Sequence, residues 1–429
     1  MASKSVNIIS LGCSKNLVDS ERVMQQLRLS GWDVKFESDD PASVVLINTC
    51  GFIADAKEES VDTILQALEA KKKGKYGKVI VFGCLTQRYR VALKTELPEV
   101  DGIFGVDELP DILARLSTPY DHKNHFQRYQ TTPSHYAYLK ISEGCNRRCA
   151  FCIIPSIRGN LTSQPVETLV KEAEFLSSNG VKELILIAQD LTAYGKDLRL
   201  HDPLVHLIKA LERVEGIEWI RLHYAYPARF PDGLIRLMAE SEKVLPYLDI
   251  PFQHASDPIL RKMQRGHTAT GDKKLIGKLR SQIPGLALRT TLITGFPGET
   301  PKDFLLLKEF VEEMRFERLG IFTYSEEEGT PAAGMQDDVP EEVKAARAAE
   351  IMAIQETISL ENNTGLIGKE ITVIIDREEQ EMMAGRTQHD SPEVDQEVYI
   401  SDPGSCKPGD IIQLKVTDAG NFELYGCPA

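Results

Sequence analysis

Three apolar runs in the first 90 residues end in the same way. "VNIISLGC" stops at Cys13, "SVVLINTC" at Cys50 and "GKVIVFGCLTQ" turns at Cys84, so a glycine or threonine directly precedes each cysteine. Continuous β-branched runs without polar alternation predict strands of a parallel sheet covered on both faces. The segments between them read as helices. Val23 and Leu27 stand one turn apart, and Gly31 suits the position just past a helix end. "AKEESVDTILQALEAKKKG" carries acids early, lysines late and a closing glycine. A βαβαβ arrangement lines the carboxyl ends of its strands along one edge, where open α/β sheets place their ligands. One cysteine there reads as core, because a free thiol packs as a small hydrophobe. Three at matching ends predict a shared metal site. Thiolate-only ligation favours iron–sulfur or zinc, and three ligands leave one metal position open.

At 429 residues the chain is too long for one ordinary core, so two or three domains are expected. No segment combines a basic start, an apolar stretch and a small-residue cleavage site, and no apolar run approaches the roughly 20 residues of a bilayer span. The expectation is a cytoplasmic protein without a membrane partner. In that compartment eight cysteines are metal ligands or catalytic thiols before they are disulfides. A formal net charge of -14 excludes broad attraction to nucleic acid or anionic lipid, leaving room only for a local basic groove.

Residues 144–152, "GCNRRCAFC", space Cys145, Cys149 and Cys152 as C-x3-C-x2-C. One tight loop with that spacing can wrap a cluster, and "HYAYLKISEG" reads as the strand that feeds it. A structural zinc knuckle would want a fourth Cys or His close by, and "IIPSIRGNLTSQP" offers none. An iron–sulfur cluster is the expected occupant.

These residues carry a resemblance. C-x3-C-x-aromatic-C, with Phe151 as the aromatic, resembles the signature of radical S-adenosylmethionine enzymes. "LGCSKNLVDSE", "NTCGFI", "FGCLTQ", "YLKISEGCNRRCAFCIIPSIRG", "IAQDLTAYG", "YLDIPFQHASDPIL", "LITGFPGET" and "YSEEEGT" resemble, in that order, the methylthiotransferases of that superfamily. "CSKNLVDSE", "AQDLTAYG" and "CIIPSIRG" suit the branch that modifies a ribosomal protein better than the branch that modifies tRNA. The resemblance implies two 4Fe-4S clusters, one on Cys145, Cys149 and Cys152 and an auxiliary one on Cys13, Cys50 and Cys84. It also implies S-adenosyl-L-methionine as cosubstrate, with Gln189 near its amino group and Gly295 near adenine or ribose. Radical chemistry has a physical reason, since an unactivated C–H bond is too weakly acidic for a side-chain base. The implied product is a methylthio group on the β-carbon of one aspartate in the small-subunit ribosomal protein numbered twelve. A reducing electron donor such as flavodoxin or ferredoxin and a sulfur donor are the further implied partners. Clusters and cosubstrate carry the chemistry, so no side chain is assigned as catalytic. Gln253 and His254 in "PFQHAS" are weighed as strand-end polar groups, and His254 receives no catalytic role.

The remaining chain is read as α/β multidomain. Residues 1–118 form an open parallel-sheet α/β domain, 119–135 a linker with two prolines, and 136–365 an α/β barrel. In the family it resembles, that barrel is a partial six-unit one. "VPEEVKAARAAEIMAIQETISLENN" reads as one long helix opened by proline. From Leu366 to Ala429, short strands such as "KEITVIID", "EVYIS", "DIIQLKVTD" and "FELYG" predict a small antiparallel β-barrel that resembles the TRAM domain. This segment has five basic residues (Lys369, Arg377, Arg386, Lys407, Lys415) against thirteen acidic ones, 5 − 13 = −8. Such a surface repels phosphates and suits a basic protein, so tRNA is an unlikely partner. Cys406 and Cys427 are read as structural. The rivals are the same chemistry on a tRNA adenosine and a noncatalytic zinc-scaffolded adaptor.

Overall fold

The computed structural model describes residues 4–429. The chain divides into two compact units. One comprises the residues through Thr132 with Tyr138–Arg147 and Cys152–Leu176; the other comprises Pro133–Ala137, Arg148–Phe151 and Ser177–Ala429. No described helix is long and apolar enough to cross a membrane.

The first unit opens with β1 (Ser5–Ser10), α1 (Ser14–Leu29), β2 (Asp33–Phe36), β3 (Ala42–Thr49), α2 (Ala54–Lys72), β4 (Tyr76–Gly83), α3 (Cys84–Glu96), β5 (Gly102–Ile103) and α4 (Leu109–Arg115). Its strands form a parallel sheet in the order β2-β1-β3-β4-β5. The three apolar runs are the adjacent central strands. Two edge strands join them that the sequence did not announce: β2 is four residues with two charges and β5 only two residues, too little apolar pattern to register. Even and odd positions of the central strands bury opposite ways. Val44, Leu46, Ile80 and Phe82 pack with Val23, Met24 and Leu27 of α1 and with Ile112 and Leu113 of α4. Val45, Ile47, Val79 and Val81 pack with Ile64 and Leu68 of α2 and with Leu85 of α3. Helix α1 closes on Gly31 at φ +78, with Trp32 N–H on Leu27 C=O and Gly31 N–H on Arg28 C=O, the paired bonds of a left-handed helix stop.

Residues 119–132 hold no helix or strand, yet they are pinned to α1. Gln26 accepts from Asp121 N–H at 2.7 Å, Glu21 accepts from Thr131 N–H at 2.8 Å, and Arg128 is buried between Glu21 and Glu172. The chain then enters β6 (Tyr136–Lys140) and β7 (Ser142–Glu143), followed by α5 (Ile154–Arg158), β8 (Thr162–Ser163) and α6 (Val166–Ser178). β7 and β8 pair antiparallel and close the base of the intervening cysteine loop.

In the second unit, β9 (Glu183–Ile187), α7 (Pro203–Leu211), β10 (Trp219–Leu222), α8 (Asp232–Glu240), β11 (Val244–Asp249), α9 (Asp257–Lys262), α10 (Ala269–Gln282), β12 (Ala287–Thr294), α11 (Pro301–Met314) and β13 (Arg318–Thr323) alternate as expected. The strands of this unit lie in sequence order in one sheet, β9-β10-β11-β12-β13, with β13 at its edge. The long helix α12 (Glu341–Thr364) follows Pro340 and packs on β13, β12 and α11.

The chain ends in a closed barrel of β14 (Glu370–Glu379), β15 (Met382–Thr387), β16 (Glu397–Ile400), β17 (Ile411–Ala419) and β18 (Glu423–Pro428), in the order β14-β15-β16-β18-β17. A ring of five strands cannot reverse direction at every neighbour, so one ladder must be parallel. β16–β18 is that ladder, and the other four are antiparallel. β15, interrupted by Gly385 and Arg386, is the strand whose apolar signal is weakest.

The barrel meets the sheet at the beginnings of its strands. Trp219, Leu245 and Ala287, at the starts of β10, β11 and β12, share a core with Ile374 and Ile411. Glu183, the first residue of β9, is fully buried and accepts from Arg221 Nε at 2.7 Å and from Arg386 Nη2 of β15 at 2.8 Å. Arg386 also donates to Asp376 of β14 at 2.7 Å. Removing one member of such a cluster strands buried charge. Glu183→Ala is therefore expected to cost about 3–5 kcal/mol and to expose the joint between α12 and β14 to limited proteolysis. Unchanged melting and cleavage would show that something else fastens the barrel to the sheet.

Candidate functional site

Cys13, Cys50 and Cys84 stand at the carboxyl ends of β1, β3 and β4, and the pairs Ser10↔Asn48 and Thr49↔Gly83 set those ends level. Cys13 caps α1 and Cys84 is the first residue of α3. The glycine beside each cysteine has a steric reason. A Cβ on Gly12, at φ +91, would lie 2.9 Å from Cys50 Sγ; one on Gly51 would lie 2.7 Å from Leu85 Cα; one on Gly83, at φ +107, would lie 2.3 Å from Asn48 Oδ1. No side chain fits at any of the three: Gly51 and Gly83 lie against the backbone of Leu85 and Thr49, and Gly12 lies against the Cys50 side chain.

Polar groups surround the thiols. Asn16 Nδ2 donates to Leu11 C=O at 2.9 Å and Thr49 C=O at 3.2 Å, and its Oδ1 accepts from Arg158 Nη2 at 2.5 Å and faces Cys84 Sγ at 3.6 Å. Arg158, buried at the end of α5, is held from behind by Glu143 at 2.9 Å and Asp19 at 3.2 Å. Lys140 bridges the same two carboxylates. Burial pushes the Cys84 thiol up to about 12 against the opposing pull of Arg158, and burial also raises Cys50. At Cys13 the surrounding protein, which alone would raise the thiol, is outweighed by Lys15, Arg158 and backbone N–H groups at the start of α1, leaving it below the ordinary range. The Cys13 thiolate disfavours ionisation of both other thiols. Cys13 is exposed at this edge while Cys50 and Cys84 are buried, so the three thiols stand in different surroundings at one end of the sheet.

The second trio lies in the loop between β7 and α5, and the boundary between the units runs through that loop. In the first unit Gly144 has φ +71, and a Cβ there would fall 2.2 Å from Asn160 C=O. Cys145 N–H donates to Gly159 C=O at 3.1 Å, and Arg147 N–H donates to Cys145 Sγ at 3.4 Å. Cys152 opens the stretch that leads into α5. In the second unit Ala150 N–H donates to Met263 C=O at 2.9 Å, Ala332 N–H to Ala150 C=O at 2.8 Å, and Arg265 Nη1 to Cys149 Sγ at 3.2 Å. Phe151 packs against Ala150, Met263, Phe296 and Tyr324. Among the described residues no three His, Cys, Asp or Glu side chains converge as they would around one metal ion. A polynuclear iron–sulfur group would take one thiolate on each of several irons, so the three cysteines of a trio would be the residues to hold it.

Gln189 follows β9, Gln253 bridges to β12 beyond the end of β11, and Gly295 follows β12, so all three lie at carboxyl ends of the sheet. The glycine at 295 is explained by packing. It has φ +73, and a Cβ would collide with the buried Lys344 side chain at 2.1 Å. Gln253 also has a positive φ, of 71, and its Oε1 is buried with no hydrogen-bond partner among the described residues. His254 is fully buried between Ser256 N–H and Glu299, whose other oxygen is taken by Arg347, which makes it a structural residue. Cys406 packs beside the barrel core, and Cys427 lies on β18. Asn16, Arg158 and Arg265 were not singled out from sequence. Arg158 sits inside the "CIIPSIRG" motif, whereas Arg265 is 116 residues from Cys149 and had no spacing to betray it.

The chain matches the models of the uncharacterized protein family UPF0004 over residues 5–105, the radical SAM superfamily over 139–311 and the TRAM domain over 367–428. It is 52% identical over 427 residues to the ribosomal protein uS12 methylthiotransferase RimO of Flavobacterium johnsoniae, covering 99% of this chain and 98% of that one. The protein of the same name from Bacteroides fragilis is 49% identical, with 99% of each chain covered. Among solved structures, the radical S-adenosylmethionine methyltransferase TsrM from Kitasatospora setae superposes with a TM-score of 0.57 at 14% identity, covering 77% of each chain. The cobalamin-dependent S-adenosylmethionine radical enzyme OxsB gives 0.52 at 12% identity, covering 82% of this chain and 56% of that one. These last two likenesses concern the fold alone. With half of its residues identical to those relatives from end to end, the chain belongs to the RimO family of radical S-adenosylmethionine methylthiotransferases.

Proposed function

We propose that this chain adds a methylthio group to the β-carbon of an aspartate in ribosomal protein uS12. A 4Fe-4S cluster and S-adenosyl-L-methionine follow from the superfamily. We assign that cluster to Cys145, Cys149 and Cys152, and a second to Cys13, Cys50 and Cys84. The observation that carries the second assignment is the trio of thiols brought from separate strands to one edge by glycine-only contacts. When bound, these groups supply one-electron cleavage of a sulfonium, hence rupture of an unactivated C–H bond, together with the sulfur that replaces the hydrogen.

The chain's own residues hold and orient. Six thiolates act as ligands, and Asn16 and Arg158 fix the surroundings of Cys84. Phe151 backs the Cys149 segment from an apolar cluster, and Gln189 and Gly295 border the cosubstrate. The corresponding domain assignment is 1–118 for the auxiliary cluster, 119–135 as linker, 136–365 for radical generation and 366–429 for partner binding.

Substrate class is read from the barrel. Between β14, β16 and β18 lies a groove of ≈ 720 Å³ where Tyr399 and Tyr425 stack at 5.5 Å beside Phe422, Glu397 and Glu423. Five carboxylates line the groove (Asp376, Glu393, Asp395, Glu397 and Glu423) against two guanidiniums (Arg377 and Arg386), and this acidic excess beside aromatic rings suits lysine and arginine side chains better than phosphates. Because the barrel docks at the amino ends of the strands while Cys149, Gln189 and Gly295 belong to the opposite end, it can grip only a partner large enough to reach both. A basic ribosomal protein meets both conditions, and a cytoplasmic location follows from it. A flavodoxin- or ferredoxin-like reductant and a sulfur donor complete the partners.

Anaerobic iron and sulfide quantification on variants lacking one trio at a time checks the clusters. Each triple Cys→Ala variant is expected to keep about half of the wild-type iron and sulfide. A colourless protein holding zinc without sulfide would support the adaptor and end the enzymatic reading. Incubation of reduced, sulfide-loaded enzyme and S-adenosyl-L-methionine with uS12 and, separately, with tRNA anticodon stem-loops checks the substrate. A methylthio mass gain on the protein is expected, and modification of RNA alone would overturn the assignment.

A further inference from the structure

Arg265 is a buried cation with no carboxylate within ion-pair distance among the described residues, unlike Arg158, Arg221, Arg347 and Arg386, each of which has one. Each of its three nitrogens nonetheless makes one hydrogen bond. Nη2 donates to Pro251 C=O at 2.6 Å, Nε to His267 Nε2 at 3.3 Å and Nη1 to Cys149 Sγ at 3.2 Å. The guanidinium carbon lies 4.4 Å from the centre of the Tyr226 ring, and Tyr226 Oη donates to the Arg265 carbonyl. A guanidinium has no acceptor, so His267 must accept at Nε2 and carry its proton on Nδ1, which faces Asp272 Oδ2 at 2.8 Å. Asp272, His267 and Arg265 thus form a fixed chain that ends on a cysteine sulfur. A buried cation without a counter-anion is costly. The anion that completes this one is the Cys149 sulfur in its iron-bound, thiolate form.

We propose that Arg265 is a positioning residue for the radical-generating cluster, donating an N–H···S hydrogen bond to the Cys149 ligand and raising the potential at which that cluster accepts its electron. The inference rests on Cys149 being an iron ligand. Positive charge and hydrogen bonds at the sulfurs stabilise the reduced cluster, which carries one more electron, over the oxidised one.

The test uses full-length protein carrying Cys13→Ala, Cys50→Ala and Cys84→Ala, so that only this cluster is loaded. Iron content and an EPR-monitored redox titration are compared for Arg265, Arg265→Gln and Arg265→Lys. The Gln variant is expected to retain iron and to show a more negative midpoint. At a fixed poise its reduced-to-oxidised ratio should fall about tenfold, equivalent to about 59 mV for a one-electron couple. The Lys variant, which keeps the charge but loses the planar fork, should fall between. His267→Gln removes only the orienting partner and should shift the midpoint the same way by less, which keeps the proposal testable if Arg265→Gln does not fold. Unchanged midpoints in iron-loaded variants overturn the inference. Failure of the Arg265 parent to bind iron overturns the ligand assignment beneath it.

Discussion

Backbone contact between the ends of three parallel strands is the constraint on which the first unit depends. Parallel neighbours normally diverge into their helices at this edge, and side chains fill the gap. Here Gly12, Gly51 and Gly83 leave nothing to fill it with, so the residues beside them carry their side chains to a common edge. The full burial of Val45, Leu46, Ile80 and Val81 on both faces fixes the strands' register, and the register fixes the level of the three cysteines. An edge with that much glycine is intrinsically weak, and the Asn16 bonds to Leu11 and Thr49 fasten it.

Electrostatics gives each trio a different partner. Near the strand-end thiols Arg158 belongs to a buried network that already contains Asp19, Glu143 and Lys140, so its charge is largely compensated and its value lies in geometry. At Cys149 the nearby guanidinium has no such compensation. The two sites therefore read as different electrostatic environments, one balanced by the protein and one balanced only by the ligand sulfur.

Much of this was legible in the sequence, for reasons tied to range. The central strands showed through because burial on both faces demands unbroken apolar runs, and α1 and α2 through their closing glycines. The short strands β2 and β5 did not, since four and two residues carry too little pattern. The parallel β16–β18 ladder follows from the parity of a five-membered ring, which needs the strand count, and β15 hid behind Gly385 and Arg386. The cysteines were visible as spacing and repetition. Asn16, Arg158 and Arg265 were not, because each meets its sulfur across 68 residues or more of chain or through a partner that no local motif encodes. Gly295 shows the converse: a glycine in a ligand-like loop that its positive φ and the neighbouring Lys344 already require.

The account stands on glycine-permitted convergence of Cys13, Cys50 and Cys84 around one polynuclear iron group. Iron-edge X-ray absorption on the Cys145→Ala, Cys149→Ala, Cys152→Ala protein, with and without Gly12→Ala, measures this directly. The expected result is sulfur coordination with a clear iron–iron shell in the parent and loss of that shell when a methyl group is placed against Cys50 Sγ. Isolated metal ions in the parent, or an iron–iron shell indifferent to Gly12→Ala, would contradict it.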